Sequence, residues 1–586
     1  MRKFIVSSFT LLSILACAYS QNVPIGERVY DLLDQASLRG LLHGSLPNYK
    51  PLTRIEIAGL LISIENNRTL DDNVPMNLYL EMRREIESYK REIIKIAGLQ
   101  WWRDLPPYYG RINRYSRKLL PTHIPPTVWD KSGRTLNLEF DDGKWLTFDP
   151  TYVFQYDAVK NQNDVFRRRW GFVLESAPAP WMNVFLRWRD VLEWGREPYE
   201  FNTRDNIFDD RIGYVNPNSV TEITYEDLLG GMTIHHSPAS LFLGRDRIRW
   251  GPGRFGNLML SGESAPFNQV KLDIELSKSI HFSSLSGSLV AWPELRETLY
   301  PVENGLLRTV RRSKYLAAHR IELTPKPWMN LGIQEAVVYG ERSFDLSYLN
   351  PVSVYFTEEH ENGDMDNALM GSDLRLGPWI LIPGQISGML WGEVLLDDFQ
   401  FGKLGKNYYG NKSAWLSGCS FALPGGFLPV EAGYEYVKLR PYVYSHIFPI
   451  NVYKHWNAPL GMQMQPNSDR STVWVNWWLL HHIRFGFEGY FLRHGANDET
   501  YGNVGGNINE SHVRNPENET AGFLDGLRDD QSRVLMWFDW EAFEGLVLSF
   551  SVGYDNATND SYDGRYFSAG ILLNKPEDRR WSLRGK

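Results

Sequence analysis

Glu358, Glu359, His360, Glu361, Asp364 and Asp366 crowd one short segment. Oxygen-rich loops of this kind bind Ca2+ or the hydroxyls of a sugar, but the spacing of an EF-hand loop is missing. A solvated acidic loop has the same composition. Recognition of a pyranose asks for aromatic faces over its apolar side and polar groups at its hydroxyls. By that test Tyr355 with Glu358, Glu359, Asp364 and Asp366 is one candidate for polysaccharide binding. Tyr453 and Trp456 in "NVYKHWNAPLGMQMQPNSD" are a second, and the turn "DNATNDSYDG" a third. His235-His236 and His481-His482 are adjacent, so in a strand each pair points to opposite faces and cannot chelate. Asp397-Asp398 diverge in the same way, and a glycosidase pair would need a cross-strand carboxylate. No Gly-x-Ser-x-Gly elbow occurs. These residues therefore predict no catalytic group, no metal ligand and no cofactor.

The stretch "GRDRIRWGPGRFGNLMLSGESAPFN" (244–268) poses a different question. Gly251, Pro252 and Gly253 forbid a helix, and neither a phosphate loop nor a dinucleotide fingerprint fits. Arg245, Arg247 and Arg249 share one face of a strand, opposite Asp246, Ile248 and Trp250. On the lipid face of a barrel each arginine would cost roughly 2–4 kcal/mol at the midplane. The reading is an arginine ladder facing a polar lumen, followed by a fixed bend.

The elements that must position these residues change character along the chain. Arg2 and Lys3, the apolar run 4–16 and Ala18-Tyr19-Ser20 read as a signal peptide over 1–20. Cys17 is the weak alternative, a poor match to a lipoprotein box. With the leader removed only Cys419 remains, which excludes an intrachain disulfide. Residues 21–98 carry helical periodicity and are expected to form a separate small bundle. Val29, Leu32, Leu33 and Ala36 mark one inner face. Thr53 and Glu56 make a capping box before Ile57, Leu60, Leu61 and Ile64. Leu78, Met82, Ile86 and Ile93 continue the pattern. Residues 99–132, rich in Pro, Tyr, Arg and Trp, read as a linker.

From about residue 133 the period becomes two. Val184, Leu186 and Trp188 alternate with Phe185, Arg187 and Arg189. Leu546, Leu548, Phe550, Val552 and Tyr554 alternate with Val547, Ser549, Ser551 and Gly553, and Phe567, Ala569, Ile571 and Leu573 return on an apolar face. Aromatics make up 14% of the chain, with 21 Trp, while the mean hydropathy is −0.37. An apolar outer half, a polar inner half and aromatic girdles would produce that combination in a transmembrane barrel. At roughly 20–30 residues per strand with its connection, residues 133–574 hold on the order of 15–22 strands. The net charge of −8 gives no footprint for nucleic acid.

The segments "LGRDRIRWGPGRFGNLMLSGESAPFNQVKL", "AAHRIELTPKPWMNLGIQEAVVYGER", "LSYLNPVSVYFTEEHENGDMDNALMGSDLRL", "WGEVLLDDFQF" and "YEYVKLRPYVYSH" together resemble the capsule assembly protein Wzi family. The resemblance implies a mainly β fold: a large transmembrane antiparallel β-barrel of about 18 strands with a small N-terminal α-helical bundle on the periplasmic side. It also implies location in the outer membrane and binding of capsular or other surface polysaccharide, a lectin role without catalysis. Outer-membrane lipid and the barrel assembly machinery are the further partners expected of such a monomer. A porin or substrate-specific channel of similar build is the alternative, and an outer-membrane enzyme a third. The chain departs from many such barrels in ending "KPEDRRWSLRGK" (575–586), read as a tail after the last strand.

Overall fold

The computed structural model describes residues 21–573 except 43–44, 69–75, 106–135, 141–143, 160–163, 196–214, 220, 292–295, 302–306, 364, 383–385, 404, 424–428, 481, 513–518, 544–545 and 559–562. The segment read as a signal peptide, with Cys17, most of the expected linker, part of the turn "DNATNDSYDG" and the expected C-terminal tail lie outside the described residues.

Eighteen antiparallel strands close into a barrel. In chain order they are β1 (Trp145–Val159), β2 (Val165–Ala179), β3 (Met182–Trp194), β4 (Glu222–His236), β5 (Ala239–Asp246), β6 (Phe267–Ser277), β7 (Ile280–Leu289), β8 (Lys314–Lys326) and β9 (Met329–Gly340). The second half is β10 (Asn367–Ile382), β11 (Ile386–Asp397), β12 (Ser413–Leu423), β13 (Val430–Leu439), β14 (Ser468–Leu480), β15 (Ile483–Ala496), β16 (Gln531–Phe543), β17 (Leu546–Ala557) and β18 (Asp563–Leu573). Each pairs with its neighbour in sequence, and β18 returns to β1 in the register Tyr566↔Val159 to Leu573↔Tyr152. Closure removes the free edges that an open sheet would leave.

The period-two readings hold. On β3, Phe185, Arg187 and Arg189 face inward and buried, while Val184, Leu186 and Trp188 face outward. On β17 the outward Phe550, Val552 and Tyr554 are exposed and Val547 and Asp555 are buried. The two ends of the barrel differ. One end has tight connections such as 180–181, 237–238, 278–279 and 327–328. The other has long ones, including 247–266, 341–366, 398–412, 440–467 and 497–530. Exposed Trp181 and Trp328 ring the short-turn end, and Trp415 and Tyr554 the long-loop end. Ile333, Val394, Val552 and Ile571 lie exposed between them. Two aromatic girdles around an apolar belt are the outer surface of a bilayer-spanning barrel. No described helix is long and apolar enough to cross a membrane.

Four helices, α1 (Arg28–Leu38), α2 (Arg54–Arg68), α3 (Met76–Ser88) and α4 (Lys90–Asp104), enter the short-turn mouth. The capping box is present: Thr53 N–H donates to Glu56 at 2.6 Å and Glu56 N–H to Thr53 Oγ1 at 3.3 Å. The inner positions Leu33, Ile57, Leu78, Met82 and Ile93 are fully buried. They belong to one apolar core that also contains wall residues such as Leu416, Val437 and Trp474, so the helices are continuous with the wall's packing. Gln35 donates to Glu431 at 2.6 Å, Arg28 to Glu541 at 3.2 Å, and Gln21 to Glu175 at 3.0 Å. α4 runs on to Asp104 but is kinked at Gly98, whose φ of 89° and ψ of 159° are not helical.

Beyond the helices the lumen is filled by chain from both directions. The strand Tyr49–Lys50 pairs with Arg249–Trp250, which pairs in turn with Leu260–Ser261. The Trp-Gly-Pro-Gly bend thus lies deep inside the barrel. Two wall carboxylates hold it. Glu393 accepts Gly253 N–H at 3.2 Å and Leu258 N–H at 2.7 Å. Glu435 accepts Arg254 N–H at 2.6 Å, Phe255 N–H at 3.1 Å and Trp391 Nε1–H at 3.0 Å. Gly251 has φ 124°, and a Cβ at Gly253 would stand 2.1 Å from the carbonyl of Gly256, so no larger residue fits there.

The arginine ladder needs correction. β5 ends at Asp246, and Arg245 lies directly opposite Gly230 and Asn268, on the same side as the exposed Leu241 and Leu243. It therefore faces away from the lumen, at the long-loop end of its strand. Past Asp246 the chain turns inward, and only then do arginines meet the interior. Arg247 lies 3.7 Å from Asp227, a wall carboxylate shared with Arg187 and Arg189. Arg249 folds back on the carbonyls of Gly253 and Arg254.

Substituting Glu435→Ala should strip two half-buried backbone N–H groups and the buried Trp391 Nε1–H of their acceptor, at up to about 1–3 kcal/mol each before relaxation. The temperature at which the folded band converts to the unfolded one on a gel should fall. An unchanged transition would mean that the bend is held by other groups.

Candidate functional site

The structure separates the residues that the sequence brought forward. Tyr453 is fully buried in the plug and donates its hydroxyl to the Met259 carbonyl at 3.0 Å. Trp456 is 6% exposed, and its backbone N–H donates to Val290 O at 3.0 Å. Apart from the exposed turn 447–449, the segment 440–467 dips into the lumen against 258–261 rather than projecting outward. An aromatic ring without surface offers no face to a sugar, so this expectation is corrected. Tyr355 is also fully buried, and its hydroxyl donates to Tyr348 O at 3.1 Å. Asp366 is 1% exposed and accepts from Arg342 and Tyr348 at 2.6 Å each. Glu358 accepts from Ser353 Oγ at 2.7 Å, and Glu359 is half-buried. Asp364 lies outside the described residues. The segment 355–363 is thus a folded piece of structure, and of the candidate residues described there only Glu358 and Glu359 retain some surface for a ligand.

What the long-loop end does present comes from three loops distant in sequence. The Tyr408 and Tyr409 rings pack at a tilt with centroids 4.7 Å apart, Tyr409 tilts against His512 at 4.4 Å, and His512 lies edge-on to Tyr442 at 5.7 Å. Lys403 sits 3.9 Å above the Tyr408 ring and 2.7 Å from Glu519. Beside this cluster Asp398, in the left-handed region at φ 58°, projects its carboxylate to the surface and 2.7 Å from Lys412 Nζ. Asp397 turns the opposite way and is fully buried beneath Tyr444 N–H. His446 and Phe448 pack ring to ring at 5.6 Å, and Phe448 is 43% exposed. Burial, and then the Lys412 ammonium, push the His446 imidazolium down to about 4, so the ring is neutral at physiological pH and able to donate or accept.

An amide network stiffens the adjoining loop. Asn497 Nδ2 donates to Asn503 at 3.0 Å and Glu510 at 2.9 Å, while Asn497 Oδ1 accepts Val504 and Gly506 N–H. Tyr501 stands out from it with 60% exposure. Aromatic faces at Phe448 and Tyr501, carboxylates at Asp398 and Glu519 and fixed amides at Asn497 and Asn503 form the groups a polyhydroxylated ligand meets. The reading of the sequence took up only Asp398 among them, because the six come from three loops that only the fold brings together.

A closed wall with an apolar belt, two girdles and a filled polar lumen defines a β-barrel of the outer-membrane type. The profile of the family described as Capsule assembly protein Wzi matches residues 232–567, more than half of the chain. The chain belongs to that family. Among solved structures it is similar to Wzi of Escherichia coli, described as an outer-membrane protein involved in group 1 capsule assembly and a carbohydrate-binding β-barrel. That likeness covers 94% of this chain and 99% of that one at 15% identity, with a TM-score of 0.55. Weaker likenesses are to OprD of Pseudomonas aeruginosa (10% identity, 75% and 96% covered, TM-score 0.39) and OccAB1 of Acinetobacter baumannii (8%, 75% and 97%, 0.41). No curated protein sequence matches the chain.

The lowered His446 pKa has a sign that can be checked. Protonation favours the unfolded chain, so this group's contribution weakens stability as pH falls below about 6.5 toward 4. A proton-resonance titration of His446 should give a midpoint well below that of an ordinary histidine. A midpoint near 6.5 would place the ring in open solvent.

Proposed function

We propose that the protein binds and retains a capsular or other surface polysaccharide at the outer face of the outer membrane, without cleaving it. With short turns toward the periplasm and long loops outside, α1–α4 lie at the periplasmic mouth and the Phe448–Asp398–Tyr501 surface looks outward. The observation that carries the reading is the plug. Three segments, 48–50, 249–261 and 440–467, pack together inside the wall, so the long-loop surface is where a polymer meets the protein. Family membership supports the same role. Binding per site is weak, since each sugar hydroxyl exchanges water for protein at a net gain of roughly 0.5–1.5 kcal/mol per bond. Retention then rests on many barrels engaging one long polymer.

Deleting the protein should release polymer into the medium while total synthesis holds. Phe448→Ala and Tyr501→Ala should each weaken binding of purified barrel to the host's own polysaccharide several-fold and leave heat-modifiability intact. Tyr453→Ala should instead lower the thermal transition. Undiminished retention together with ion conductance in planar bilayers would replace this reading with the channel.

A further inference from the structure

The barrel has a second apolar core, and it lies outside the wall. On β8 and β9 the paired positions run Ile321↔Ile333, His319↔Glu335, Ala317↔Val337 and Tyr315↔Tyr339 toward the long-loop end. All of these face away from the lumen, opposite in parity to the inward Arg320, Gln334, Ala336 and Val338. Ile321 and Ile333 are 41% and 53% exposed, as lipid-facing residues should be. One step higher the exposure vanishes. Ala317, Val337 and Tyr339 are fully buried, together with Ala368 of β10, Tyr348 and Tyr355. What covers them is the loop 341–366, with its short helix α5 (Tyr355–Glu361). The loop does not rise from the rim. It folds down over the outer face of β8, β9 and β10.

Its inner side is made to fit. Small residues Ser286, Ala317 and Ala368 leave a shallow recess that the Tyr348 and Tyr355 rings fill, edge to face at 5.6 Å. Glu335, on the outer wall, accepts Tyr355 N–H at 2.9 Å and Phe356 N–H at 2.7 Å, and its carboxylate lies 3.1 Å from His319. The Tyr355 ring lies over His319 at 4.3 Å. A carboxylate on the outer wall directly above Ile321 and Ile333 is unfavourable in hydrocarbon, and the loop screens it. Its outer side is the reverse of a soluble loop. Leu346, Leu349, Val352, Val354, Phe356 and Met365 are all exposed, Val352 by 85%. A patch of that kind on a surface is a contact site. Toward the rim the helix carries acidic residues, and Glu359 lies in the field of Lys412.

We infer that the segment 341–366 is embedded laterally in the outer leaflet, with its exposed apolar side chains among the acyl chains of the lipid. Continuity selects lipid as the occupant. The patch is the upward extension of the belt that begins at Ile321 and Ile333, and it stands on the same outer face of the wall. The shielding of the His319–Glu335 pair has a physical purpose only if hydrocarbon reaches that height. The segment anchors the barrel's outer rim in the membrane, independently of whether the loops above it bind a polysaccharide.

The test uses the full chain in a Cys419→Ser background, reconstituted in phosphatidylcholine vesicles. Val352→Cys and, separately, Leu346→Cys carry an environment-sensitive fluorophore, with Tyr501→Cys as the aqueous reference. Heat-modifiability equal to that of the parent shows that each variant is folded, and the two sites check each other. We expect blue-shifted emission at 352 and 346, loss of fluorescence when the lipids bear a nitroxide on the acyl chain, and little reaction of the unlabelled thiols with a membrane-impermeant maleimide. Position 501 should show none of these. Water-like emission and ready maleimide reaction at 352 and 346 would overturn the inference. So would protection without lipid quenching, accompanied by a 352–352 cross-link between two copies.

Discussion

The structure depends on how the carboxylates of the inner wall are satisfied. A barrel of this width turns half of its wall residues inward, and beside apolar ones such as Leu416 and Val437 that half carries many carboxylates and other polar groups. Once the lumen is filled, each inward carboxylate needs hydrogen-bond donors or a cation. Glu393 and Glu435 take backbone N–H groups of the Gly-Pro-Gly bend. Glu322 and Asp373 take Asn48, and Arg320 between them is wholly buried, 2.8 and 2.5 Å from the two. Glu431 takes Gln35, Asn476 and Trp474. The wall therefore specifies its plug, and removing either leaves the other with unpaired groups.

Filling from both ends follows from that requirement. The N-terminal segment enters by the short-turn mouth and brings a strand, Tyr49–Lys50, to the middle of the barrel. The chain after β5 descends from the long-loop end to meet it, and 440–467 packs behind, with Tyr444 and Tyr453 stacked at 5.6 Å. A cavity of about 200 Å3 lies beside α1, lined by Asp34, Lys50, Arg254 and Glu431 among others. Asp34 lies 3.5 Å from Lys50 and 3.9 Å from Arg254, so the charges there answer one another.

The loops have three fates. Some of the chain goes inward and becomes core, 341–366 goes over the outer wall, and 398–412, the turn 446–449 and 497–512 stay on top. Only the third group offers rings, carboxylates and amides with surface to spare. That division, more than the presence of aromatic residues, marks where a large hydrophilic ligand has access. The stiffness of 497–511 matters as well, since amides already fixed by Asn497, Asn503 and Glu510 lose little freedom on binding.

Much of the architecture is local and was therefore legible. Alternation at Phe550, Val552 and Tyr554 reports a wall with two solvents, because neighbouring strand residues must face opposite sides. The Thr53–Glu56 box and the spacing of Leu78, Met82 and Ile86 report helices through contacts a turn apart. The glycines around Pro252 report a bend that a side chain would obstruct. The destination of a loop is not local. Tyr453, Tyr355 and Phe448 sit in segments of like composition, yet one meets Met259 inside, one meets Glu335 outside and one meets solvent. Arg245 and Arg247 have identical spacing patterns, and the end of β5 at Asp246 parts them. Met259 is 194 residues from Tyr453, Glu335 is 20 from Tyr355, and Arg245 and Arg247 part where a strand stops, so each outcome turns on tertiary placement and not on local composition.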